Sequence, residues 1–334
     1  MRPARRRAMT AGTPAPAGYE TLDLGSVPPL GQTYRTVMAR SARAVLSAPS
    51  GGLPARALTA TVTPDDVAHL AAYQRLVGAR VGDELPAGYV HVLGFPLAMA
   101  LMARADFPLA PLGMVHVANR IEQVRPVRLG EEVGLTAWAH GAREHRRGTT
   151  VELEVAAEVA GEVVWTGRST YLSKGAVPPV LSREPAPGER TVAEIPAHAQ
   201  ALWNVSPAEI HTYAQVSGDR NPIHTSRLGA RAFGFSGRIA HGMYTAARAL
   251  HTVRLPAAFT WDVQFASPLP VPGKAAFAQV RGSVGAFGAS PEGVREESRS
   301  RNGSTNIAMM VWLPRQRKTH LTATLTPLER RAQA

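Results

Sequence analysis

The chain has 334 residues, and 37 Lys and Arg against 25 Asp and Glu leave a formal charge of +12. That length suits two domains of roughly 100 to 200 residues each; with 45% hydrophobic and 19% charged residues there is core material for both, which excludes a wholly disordered basic protein. The absence of cysteine excludes a disulfide framework, a Cys-ligated zinc site and a cysteine nucleophile, and leaves a cytoplasmic location as the default expectation.

Arg2, Arg5, Arg6 and Arg7 give the start of the chain the charge of an export signal. No apolar stretch of about 7 to 15 residues follows, so that reading fails, and residues 1–30 read as a flexible tail. The longest apolar run, Gly94–Ala103, falls short of the roughly 20 residues that cross a bilayer. No membrane span is expected. The basic residues are arginine apart from Lys174, Lys274 and Lys318, and three readings compete for them. One is nucleic acid, against which stands the lack of a basic stripe interleaved with aromatics. Another is a phosphate-bearing thioester or acidic carrier protein, since arginine's planar fork suits phosphate. The third is a solvated surface of biased composition.

In chain order, 31–174 reads as a first domain, 175–199 as a Pro-rich linker carrying Pro178, Pro179, Pro185, Pro187 and Pro196, and 200–330 as a second domain. The two domains repeat one plan. Thr63-Pro64-Asp65-Asp66 and Ser206-Pro207-Ala208-Glu209 each offer a hydroxyl cap, a proline at the first helical position and an acid in the first turn. An apolar helix is predicted after Gly94 (Phe95–Met102) and another from Gly242 (Met243–Leu250), each followed by a Pro-containing segment that ends in glycine. Thr63 and Ser206 stand 143 residues apart, as do Gly130 and Gly273. Alternating apolar residues then predict strands over Thr150–Glu158 and Val163–Leu172 in the first copy. In the second copy, strands are predicted over Ala275–Val284, Thr305–Leu313 and His320–Leu325. Helices followed by antiparallel strands, twice, imply an α+β architecture in which each sheet covers an apolar helix.

The most informative stretch is Tyr213-Ala214-Gln215-Val216-Ser217-Gly218-Asp219-Arg220-Asn221-Pro222-Ile223-His224. Gly218 can end a helix in the left-handed conformation, and Pro222 drives Asn221 out of helical geometry, so Asp219 to Asn221 form a tight turn. On one helix Asp219 and His224 would point about 140° apart. The turn lets both reach one point, where a carboxylate and an imidazole facing a water form an acid/base pair.

Ser217-Gly218-Asp219-x-Asn221-Pro222-Ile223-His224, followed by Ala240-His241-Gly242-Met243, resembles the signature of the MaoC-like (R)-specific enoyl-CoA hydratases and 3-hydroxyacyl-thioester dehydratases. The duplicated plan resembles their double hot-dog members, in which one half lacks the catalytic pair. The resemblance implies two antiparallel sheets, each wrapped around a central helix, with an acyl-CoA or acyl-carrier-protein thioester bound between them. It implies Asp219 and His224 as catalytic residues and the Gly242 N–H as oxyanion donor, with Gly218 and Asn221 supporting the turn. It implies no cofactor, no metal, and a chain that completes its active unit without a second copy. An N–H at a helix start is a sound donor to the charge that develops on a thioester oxygen. An acyl-thioesterase of the same fold and a non-catalytic acyl-thioester binder remain open.

An offset of 143 residues puts Leu76 opposite Asp219 and Val81 opposite His224. This predicts a non-catalytic first half whose apolar residues line an acyl tunnel, in a segment five residues shorter than its counterpart. Glu84 with His91 is the rival pair there. His241 reads as structural, Arg220 and Arg238 as solvated, and Met99, Met102 and Met114 as core. His140 and His145, among Arg143, Glu144, Arg146 and Arg147, read as a solvated hairpin tip without zinc-ligand spacing. The chain shows no G-x-S-x-G elbow, phosphate-cradling loop or dinucleotide fingerprint, which argues against serine hydrolase, nucleotide hydrolase and dehydrogenase.

Overall fold

Alternating strands that hide one face behind a helix pair edge to edge until both halves share one sheet. The structure, a computed structural model, describes residues 15–44, 52–111, 113–175, 182–185, 193–282 and 305–328. The first half contributes β2 (Arg56–Val62), β4 (Val115–Gln123), β6 (Val133–His145), β7 (Gly148–Val159) and β8 (Glu162–Lys174). The second contributes β10 (Ala201–Val205), β11 (Phe259–Phe265), β12 (Gly273–Arg281), β13 (Ile307–Leu313) and β14 (Lys318–Pro327). Their order is β2-β6-β7-β8-β4 and then β11-β14-β13-β12-β10, so the two halves mirror each other about the antiparallel β4/β11 pair. The segment Val163–Leu172 lies within β8, and the turn at Ala160-Gly161 closes the predicted hairpin. The predicted end of a strand at Val284 lies outside the described residues.

Each half of the sheet packs on its own apolar helix, α3 (Ala87–Ala103) in the first half and the shorter α7 (Gly242–Leu250) in the second. Helices α2 (Val67–Val77) and α4 (Pro207–Ser217) meet between the halves, where the Tyr73 and Tyr213 rings lie 6.3 Å apart. One apolar cluster therefore runs through both halves, joining Leu70, Tyr73 and Leu97 to Ile210, Tyr244 and Leu250. This is the double hot-dog arrangement. Across the β4/β11 seam, Arg120 also pairs with both carboxylate oxygens of Asp262 at 2.8 Å.

Five expectations change. Residues 1–30 are not a tail throughout, because Glu20–Ser26 forms β1, pairing parallel to β2. Ser182–Pro185, inside the expected linker, forms β9 against β6. The first copy's helix begins at Ala87 and runs through Gly94 and Pro96; Gly94 lies inside it, where a Cβ would come within 2.7 Å of Val155. The cap of α2 is Asp66, whose carboxylate accepts from the His69 N–H at 2.9 Å, and not Thr63. The true caps, Asp66 and Ser206, therefore stand 140 residues apart, as do the helix-ending glycines Gly78 and Gly218. In that register Val81 is not opposite His224, and Val81 is 51% exposed and lines no tunnel.

Candidate active site

The turn that holds Asp219 begins with a well-terminated helix. Ser206 and Glu209 form a reciprocal capping box at the start of α4, and Gly218 ends it with φ +69°. The Ser217 hydroxyl donates to the Tyr213 carbonyl at 2.6 Å and accepts from the Asp219 N–H at 3.2 Å. Asp219 Oδ1 then accepts from the Asn221 N–H at 3.1 Å, closing the turn around its own carboxylate. Asn221 in turn caps the short helix α5 (Pro222–Thr225), its side chain accepting from the Ile223 N–H.

That helix carries His224, which is 8% exposed. Its Nδ1 lies 2.8 Å from the Ile239 carbonyl. A carbonyl can only accept, so Nδ1 holds the proton and the lone pair of the neutral ring sits on Nε2. Nε2 is 3.9 Å from Asp219 Oδ2. A water placed to one side of that line can direct one O–H at each atom, because the span matches two ordinary hydrogen bonds of about 2.8 Å meeting near a right angle.

The two motifs predicted from sequence meet here. His241 precedes α7, stacks on His224 with ring centres 3.8 Å apart, and directs Nε2 at the Asp219 carbonyl at 2.9 Å. No side chain caps α7, so the N–H groups of its first turn, Gly242 included, keep the partial positive charge of a helix start. Gly242 is required sterically, since a Cβ there would come within 2.7 Å of the Phe265 ring.

Burial raises the Asp219 pKa, but His241, His224, the Asn221 N–H and the Tyr34 hydroxyl outweigh it and hold the carboxyl below its ordinary value. Burial pushes His224 down against the pull of Asp219 and the Ile239 carbonyl. It pushes His241 to about 3, with His224 adding to the effect. Near neutral pH the site therefore holds one carboxylate and two neutral imidazoles. Among the described residues these three are the group that could hold a metal ion, with ligand atoms all within 4.8 Å of one another. The His241 Nε2 that faces Asp219 is already spent as a donor to a carbonyl, a bond that a metal would have to break.

Four contributions come from the first half and carry no local sequence signal. Tyr34, on α1 (Leu30–Ala44), donates to Asp219 Oδ1 at 3.0 Å. His91 on α3, His116 on β4 and Tyr171 on β8 form a half-buried stack within electrostatic reach of Asp219, with His116 4.7 Å from Tyr171 and 5.1 Å from Phe265. His91 thus belongs to this wall and not to a pair with Glu84, which is exposed and bridges to Arg128 at 2.8 Å. His140 likewise lies within β6, 2.8 Å from Glu154, and not at the hairpin tip. Arg238 differs from the expected solvated state in that its Nε is buried, with no hydrogen-bond partner among the described residues. Beside α5, a cavity of about 230 Å³ is walled by Ile223, Phe233 and Phe235 of the second half and Val115, Ser173 and Lys174 of the first.

Comparison with known proteins agrees with this geometry. Residues 184–286 match the MaoC like domain. The chain is 39% identical to 3-hydroxyacyl-thioester dehydratase X of Mycobacterium tuberculosis over 235 residues, 70% of this chain and 83% of that protein. The crystal structure of HtdX from the same organism superposes with a TM-score of 0.64 at 33% identity, covering 81% of this chain and all (100%) of that one. A MaoC-like dehydratase from Phytophthora capsici shares the fold, with a TM-score of 0.60 at 17% identity over 82% of this chain and 94% of that one. With its duplicated helix-and-sheet plan and this likeness along most of its length, the chain belongs to the MaoC-like dehydratase family.

Proposed function

We propose that the protein interconverts (R)-3-hydroxyacyl thioesters and trans-2-enoyl thioesters, with Asp219 and His224 acting through one water. The observation that carries this reading is the separation of 3.9 Å between Asp219 Oδ2 and a His224 Nε2 whose lone pair is fixed by the Ile239 carbonyl. In hydration the water oxygen bonds to C3 while one of its protons passes to Nε2, and Asp219 holds the other O–H and balances the imidazolium. The C2=C3 electron pair moves toward the thioester oxygen, where the Gly242 N–H meets the developing enolate charge. The imidazolium then returns its proton to C2. Dehydration runs the same steps backward, His224 taking the C2 proton and delivering it to the leaving 3-hydroxyl, so atoms and charge balance with no cofactor.

In this reading the first half acts as a scaffold without a catalytic pair. The thioester enters beside α5, with Lys174 at the cavity rim placed to meet an anionic carrier, coenzyme A or a carrier protein. Support for the reading comes from the named relative's activity and from the match of site geometry to the chemistry.

The test is loss of enoyl absorbance with crotonyl, octenoyl and hexadecenoyl thioesters. Asp219→Asn and His224→Ala should each lower kcat by at least ~10²-fold in a folded protein. The double variant should be little worse than the poorer single one, because the two groups act as a unit. Release of free thiol without enoyl turnover would mean a thioesterase instead, and two modest, multiplying losses would contradict the shared water.

A further inference from the structure

We propose that Tyr34 is a positioning residue for the reaction, orienting the Asp219 carboxylate from helix α1 at the start of the first half. The inference rests on the role proposed above for Asp219. The Tyr34 hydroxyl oxygen accepts from the Arg220 N–H at 3.0 Å. Since an amide N–H can only donate, the hydroxyl proton goes to Asp219 Oδ1, its other neighbour, at 3.0 Å. Oδ1 thus receives two donors, from Tyr34 and from the Asn221 N–H, and this fixes rotation of the carboxylate. Oδ2 is left facing His224 and His241, whose Nε2 atoms are each 3.9 Å away.

A second contact places this helix independently. Leu30, one turn before Tyr34 on α1, has its Cδ1 in the space that a Cβ on residue 218 would need. The left-handed Gly218 is therefore both the end of α4 and the seat of α1, so α1 docks on the turn at two successive residues, 218 and 219. The groups facing Asp219 from the surrounding elements are Tyr34 on α1, His224 on α5 and His241 before α7, with His91, His116, Tyr171 and Tyr213 further out. Among these seven, Tyr34 is the side chain that donates a hydrogen bond to the carboxylate.

The experiment uses the full chain and hydration of crotonyl-CoA from pH 3 to 9, a range that reaches the depressed titration of Asp219. Tyr34→Phe should lower kcat about tenfold, an effect in the range of one charge-assisted hydrogen bond, with KM within about twofold. It should also move the acid limb of the kcat profile to higher pH, because Asp219 loses a donor that favours its ionised form. Incorporation of 3,5-difluorotyrosine at position 34, a stronger donor on the same ring, should move that limb the other way. In an Asp219→Asn background, Tyr34→Phe should cost less than about twofold, since the hydroxyl acts through the carboxylate. An unmoved acid limb in both position-34 variants, or a full further loss in the Asp219→Asn background, would overturn the positioning role. Full activity in Asp219→Asn alone would instead overturn the underlying role of Asp219, so the two failures are distinguishable.

Discussion

At the scale of single residues, the approach of Asp219 to His224 depends on two turn-forming neighbours, Gly218 and Pro222, and on one distant hydroxyl, that of Tyr34. Asp219, Asn221 and His224 are readable because Gly218 and Pro222 fix a turn, and a turn brings near neighbours together. Tyr34 is 185 residues from its partner and sits on a helix without a motif, so no spacing could reveal it. The buried histidines also lead to a prediction about stability. Burial holds His91 and His320 at about 4 and His116 at about 3, against an ordinary value of 6.5. The folded state then binds fewer protons than the unfolded one between about pH 6.5 and 4, so the stability these neutral rings allow is complete above that window and lost as pH falls through it. Urea unfolding should give a nearly flat free energy above about pH 7.5 and a fall that steepens through pH 6.5, approaching about 1.4 kcal/mol per pH unit for each such histidine. His320 is the group to test, because it lies on β14, bonded to Thr245 and Ser267, and outside the acid/base pair. His320→Gln should flatten the slope by one such step, whereas an unchanged slope would show that His320 charges without cost in the fold.

At the scale of elements, glycine carries different meanings that sequence alone confuses. Gly94 reads in the sequence as the opening of a helix but lies within one, because the helix must pass close to Val155. Gly242 does open a helix, and the crowding there comes from Phe265 on β11. Both places require the absence of a side chain, but only tertiary packing tells them apart. The caps divide in the same way: Ser206 with Glu209 forms the box its spacing predicts, whereas Asp66 outcompetes Thr63 by placing a carboxylate over the first turn of α2. The strand β1 carries no sequence signature because all seven of its residues are exposed at a sheet edge, where no burial imposes alternation. The Phe265 contact makes Gly242→Ala informative. The new methyl must displace the ring, an overpacking cost of about 1–3 kcal/mol, and shift the start of α7. We expect a lowered Tm and a kcat reduced at least about tenfold, short of the ~10²-fold that losing an oxyanion donor outright costs. Phe265→Leu in the same chain, which makes room for the methyl, should restore part of both. A Gly242→Ala protein with unchanged kcat would remove the helix start from the mechanism.

At the scale of the whole molecule, duplication was legible as repeated order, but the way the copies depend on each other was not. Two domains joined by a Pro-rich linker suggest separable units; the structure instead runs one sheet through both. From Phe259 to Gln264, β11 pairs residue by residue with β4, so cutting the halves apart would bare two long strand edges. It would also uncover the apolar contact of Tyr73 with Tyr213, break the Arg120–Asp262 pair, and take Tyr34 away from Asp219. The second half contains the proposed acid/base pair, yet the Asp219 carboxylate accepts from Tyr34 of α1 and the wall beside it is completed by His91, His116 and Tyr171. Expressing 197–334 alone should therefore give insoluble or inactive protein. Co-expression of 1–190 with 197–334 should recover soluble, active material that copurifies as a one-to-one complex, because the seam is a non-covalent interface and this cut keeps β9 on β6. Size-exclusion chromatography with the enoyl-thioester assay reads both outcomes. A monomeric 197–334 with full kcat would show that the first half contributes neither stability nor orientation, and would contradict the interdependence that the shared sheet and the Tyr34 contact imply.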